Sequence, residues 1–181
     1  MQNNKKLTMM YRPTVNNILL RFLLLLCFST AATASTLSDY KRLAEDTIRK
    51  AQTGNISDID QLIAQQSRLI QLGVKACEEY AHTNPESQKI LNLVISNVEV
   101  MKQLTLAEIE EKWHNGSELK KVGYTVKDDH FGTVGNIIDA VIHPATSYIA
   151  LNNYKGDGDN RHLQQVIAEL SEVLLHLHHL E

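Results

Sequence analysis

An all-α fold is predicted for this 181-residue chain by three observations. Apolar residues recur at helical spacing in each long segment, only three prolines interrupt them, and no run alternates apolar with polar residues as a half-buried strand does. Amphipathic stripes joined by short connections make an up-and-down four-helix bundle the economical architecture, with a short extra helix set into the third connection.

Residues 1–34 have the layout of an export signal. Lys5, Lys6, Arg12 and Arg21 form a basic lead, "FLLLLCF" from Phe22 to Phe28 is the apolar run, and Ala32 to Ala34 offer small residues for cleavage. The apolar run falls short of the roughly 20 residues that a membrane span needs. Cleavage after Ala34 is expected, which leaves Ser35 first, one helical domain over 35–181 and no stable membrane anchor. Lipidation at Cys27 is the competing reading, disfavoured because Leu26 is large where lipidation sites prefer small residues. The remaining domain is expected to be periplasmic or secreted.

All 21 acidic residues follow Ala34 whereas four of the 18 basic ones precede it, so the domain carries a net charge of −7. That balance argues against a nucleic-acid partner, whose phosphates need clustered Lys and Arg. Only Cys77 remains after the leader, so no intramolecular disulfide can form and the apolar core must supply the stability.

The first helix is expected from Thr36 to Gly54, with a stripe of Tyr40, Leu43, Thr47, Ile48 and Ala51. The second starts at Ser57 as its cap and carries Gln66, expected half-buried, and Gly73, which lets a neighbour come close. Asn84 and Pro85 restart the chain into a third helix so apolar, from Ile90 to Leu104, that it should be central. "TLAE" at Thr105 to Glu108 is a capping box for a short helix that buries Trp113 and closes at Asn115 and Gly116. The segment 117–127 reads as a connection, 128–149 as the next helix, 152–160 as a loop, and Arg161 to His179 as the last helix.

Eight histidines, all after residue 81, are the one oddity of composition. On the last helix Glu169, Glu172, His176 and His179 fall together on the side away from Leu170, and Glu172, His176 and His179 stand at spacings where side chains of one helix meet. Two imidazoles and a carboxylate so placed suit Zn, Cu or Ni. In 128–149, Asp139 precedes His143 by one turn, opposite the apolar face of Val134, Ile138 and Ile142, and forms a candidate ligand-binding corner. Pro144 sharpens it, because proline removes the amide that would bond the Ala140 carbonyl.

No phosphate loop, EF-hand or "CxxCH" is present, and no nucleophile has a base at recognisable spacing. The expected function is therefore a binding or interaction role toward a partner protein or small ligand, without catalysis. The alternative is a histidine-based site for a transition metal, or for a non-covalent haem between Met101 and a histidine.

Overall fold

The computed structural model describes residues 36–54, 56–125 and 132–178, and the regular elements among them are all helical. The leader, Asp128, His130, Phe131 and His179 lie outside the described residues. In chain order the elements are α1 (36–52), α2 (Ile59–Thr83), a 3-10 turn (Pro85–Ser87), α3 (Gln88–Met101) and α4 (Leu106–Ile109). A π-helical turn (Glu110–His114), α5 (Ser117–Lys120), α6 (Thr133–Asp157) and α7 (Asn160–His178) complete the chain. No helix among the described residues is long and apolar enough to cross a membrane.

Local chemistry explains most boundaries. Asp58, not Ser57, caps α2, its carboxylate accepting from the Gln61 amide at 2.9 Å. A carboxylate there caps the amide and also complements the positive end of the helix dipole, so it displaces the neighbouring hydroxyl. The Thr105–Glu108 capping box is formed in both directions. Helix α6 runs on through the expected 152–160 loop to Asp157, and Gly158 ends it at φ +71, a conformation that favours glycine. Two residues then suffice to start α7.

Cross-helix contacts give the directions. Thr36 meets Lys75 while Asp46 meets Gln65, so α1 runs antiparallel to α2. Cys77 meets the Ile137 carbonyl while Asp60 meets Lys155, so α2 is antiparallel to α6. His143 meets Glu169 and Asp139 meets His176, so α6 is antiparallel to α7.

Two apolar clusters share these helices. Leu62, Leu69, Val166 and Leu170 close with Tyr40 and Ala44 of α1, and Leu91, Val94, Met101 and Trp113 close with Ile138 and Ile142. Helix α6 contributes to both and buries 15 of its 25 residues, so it is the central element. The expectation for α3 is corrected: Leu93, Ile95 and Val98 are only partly buried and Val100 is 53% exposed. Gln66 is likewise fully buried, not half-buried, donating to Thr47 Oγ1 at 3.3 Å across the α1–α2 seam.

The polar sides of α6 and α7 that carry the candidate residues are partly covered, with Glu172 exposed and Asp139 half-buried. Asn136 and His143 are 1% and 2% exposed, and Glu169 and His176 are 6% and 2% exposed. On α7 the reason is geometric: at about 100° per residue, Glu169 and His176 sit on one flank of the Leu170 stripe, and the central α6 covers that flank.

Candidate metal centre

Three segments bring their histidines and carboxylates to one place. Helix α6 supplies Asp139 and His143, α7 supplies Glu169, Glu172 and His176, and the π-helical turn supplies His114. The π-turn is closed by the Asn115 amide donating to the Glu110 carbonyl at 2.8 Å. Its wider turn lets adjacent side chains part, Trp113 into the apolar cluster and His114 into the cavity lining beside α6 and α7.

The carbonyl that Pro144 leaves without an amide is held from outside the helix. The Tyr40 hydroxyl donates to Ala140 O at 2.9 Å, in a buried bond from α1. A Cβ built on Gly73 would overlap the same oxygen, so only glycine lets α2 pack against α6 here. Helix α6 is thus fixed one residue from Asp139 and three from His143.

The hydrogen bonds cross between helices. His143 Nδ1 donates to Glu169 Oε2 at 2.7 Å, and His176 Nδ1 donates to Asp139 Oδ2 at 2.6 Å. Gln165 Nε2 donates to the other Glu169 oxygen at 2.5 Å. Thr146 gives its hydroxyl proton to the Ile142 carbonyl at 3.1 Å, so it accepts from His114 Nε2 at 2.8 Å. His114 Nε2 also lies 3.6 Å from Glu169 Oε2. The His143 ring stands edge-on to the other two, with centroids 5.0 Å from His114 and 5.8 Å from His176.

Burial and charge pull these groups apart in acidity. Burial pushes the His143 imidazolium down, but its bond to Glu169 and the charges of Asp139, Glu169 and Glu172 outweigh this and raise its pKa. For His114 burial is again the largest effect and prevails over Glu169, with His143 adding to it, so its pKa is lowered. Burial raises Glu169, yet the His143 bond and the charges of His114 and His143 bring its carboxyl below the usual value.

Two groups of three among these residues have ligand atoms within 4.8 Å of one another, and either could hold a metal ion: His114, His143 and Glu169, or Asp139, His143 and His176. A cavity of about 210 Å³ adjoins them, floored by His114, Asp139, His143 and Glu169, with exposed Glu110 and Glu172 also in its lining. Met101 is fully buried in the apolar cluster and does not line this cavity.

The residues singled out from sequence thus meet across helices instead of along them. Asp139 and His143 lie beside His176, and Glu172 lines the same cavity. Spacing along the chain misses His114 and Glu169 as ligands. Glu169 sits at the i−3 position from Glu172, so the helical wheel holds it, but nothing local marks His114. Comparisons with protein-family models, curated proteins and solved structures each find no match to this chain.

Proposed function

We propose that this protein is an exported helical bundle whose binding role is to hold one divalent transition-metal ion among His114, Asp139, His143, Glu169 and His176. The observation that carries the reading is the convergence of three imidazoles and two carboxylates from three segments at a buried place beside a cavity. A mixed imidazole and carboxylate set suits Zn, Cu, Ni or ferrous iron. Each of His143 and His176 gives its Nδ1 proton to a carboxylate, the arrangement that fixes the tautomer and raises the basicity of a ligating ring.

Charge supports a single ion. The half-buried carboxylate of Asp139 and the buried one of Glu169 balance one divalent cation with neutral imidazoles, whereas buried unbalanced charge is costly. Among the described residues the cavity lining holds four carboxylates and no Lys or Arg, which favours entry of a cation over an anion. The four-helix-bundle reading draws support from the successive antiparallel pairs α1–α2, α2–α6 and α6–α7, with α3 as an added helix against α2 and α6. Export rests on the leader pattern of residues 1–34.

Protein produced without an affinity tag and analysed for metal should carry about one ion per chain. Adding Zn²⁺, Cu²⁺ or Ni²⁺ at 100 times the dissociation constant should stabilise it by about 2.7 kcal/mol. His143→Ala, which removes the residue common to both groups, should abolish that gain. A metal-free sample whose melting is unchanged by all three ions overturns the proposal.

A further inference from the structure

We propose that the ion has two successive positions, an outer one on His114, His143 and Glu169 and an inner one on Asp139, His143 and His176, with His143 as the ligand kept through the transfer. This rests on the metal-binding reading above. Both groups contain His143, and its ring is in edge-on contact with those of His114 and His176. The members of the first group all line the cavity, as do Asp139 and His143 of the second, whereas His176 does not and is 2% exposed. An arriving cation can therefore meet the whole outer group from the cavity, whereas the inner group is completed only by His176, which lies off the cavity.

The two positions are matched chemically. Each offers two imidazoles and one carboxylate, so the ligand charge is −1 in both and transfer needs no change of net charge. As the ion moves, its bonds to His114 and Glu169 break while bonds to Asp139 and His176 form, and the metal keeps its oxidation state. Double occupancy is opposed because both groups need His143, which cannot complete the two at once.

Co²⁺, whose visible absorption depends on its coordination, tests this in rapid mixing with the metal-free full-length protein. Wild-type protein should take up one Co²⁺ in two phases with distinct spectra. The early spectrum should match that of His176→Gln, which retains the outer group, and the final one that of His114→Gln, which retains the inner group. His176→Gln should also release its ion to a chelator about 10- to 100-fold faster than wild type, the scale seen when a site loses a supporting group. One phase with a single unchanging spectrum, or two Co²⁺ bound per chain, overturns the transfer and leaves metal binding intact. No Co²⁺ uptake by wild type together with no response to Zn²⁺, Cu²⁺ or Ni²⁺ overturns both. Because the two phases are read in the wild type, the test survives a variant that fails to fold.

Discussion

The Ala140 carbonyl has lost its helical donor to Pro144 and taken one from Tyr40 at 2.9 Å. Tyr40→Phe should therefore cost about 1–3 kcal/mol in urea unfolding, the usual penalty for a buried acceptor left unpaired. Pro144→Ala restores an amide to that oxygen, so it should recover much of the loss in the double variant. Strictly additive effects would show that the two donors do not share one acceptor. The histidines make a second prediction at this scale. In metal-free protein, NMR titration should place His143 above the ordinary imidazole value and His114 below it, and both on one side would refute the assignment. The raised His143 contributes stability that is full below the unfolded value of about 6.5 and lost as pH rises through its folded value. The lowered His114 acts oppositely, costing stability as pH falls below about 6.5, so the two partly cancel. Glu169, lowered, contributes above about 4.3 and loses that contribution as pH falls through its folded value.

Between elements, the tightest constraint is the α2–α6 approach at Gly73. Gly73→Ala should destabilise by about 1–3 kcal/mol or more, because the added methyl meets main-chain atoms that cannot rotate away. Unchanged thermal melting would mean that the helices separate freely. The close approach was legible in sequence as a glycine on an apolar stripe, and the capping box was legible because its chemistry is local. What periodicity could not reveal was that α6 is covered on all sides. Asp139 and His143 look like a solvated face when α6 is considered alone, and α7, folded back 26 to 37 residues later, supplies their partners. The same limit hid Gln66, whose partner Thr47 lies across α1.

At the scale of the whole molecule, stability rests on the shared core with no disulfide among the described residues, and Cys77 reports on it. Burial pushes its thiol up to about 12, and the group donates to the Ile137 carbonyl at the α2–α6 contact. A thiol reagent at pH 8 should therefore label native protein at the rate of global unfolding, slowed further by any ion the site binds. Immediate labelling of folded protein would show that α2 and α6 open locally. Candidate ligands were half legible: Asp139, His143, Glu172 and His176 lie on strongly periodic helices, whereas His114 depends on the path of 102–125, where periodicity is weak.

That path turns on one residue of chain length. Five residues fill the π-turn at 110–114 where an α-helical turn would need about 3.6. Shortening it at the exposed Glu111 would regularise the helix and rotate the residues beyond it by about 100°, swinging Trp113 and His114 off their separate targets. The number of imidazoles at the centre is therefore set by a single codon, at a position whose own side chain touches neither the apolar cluster nor the cavity lining.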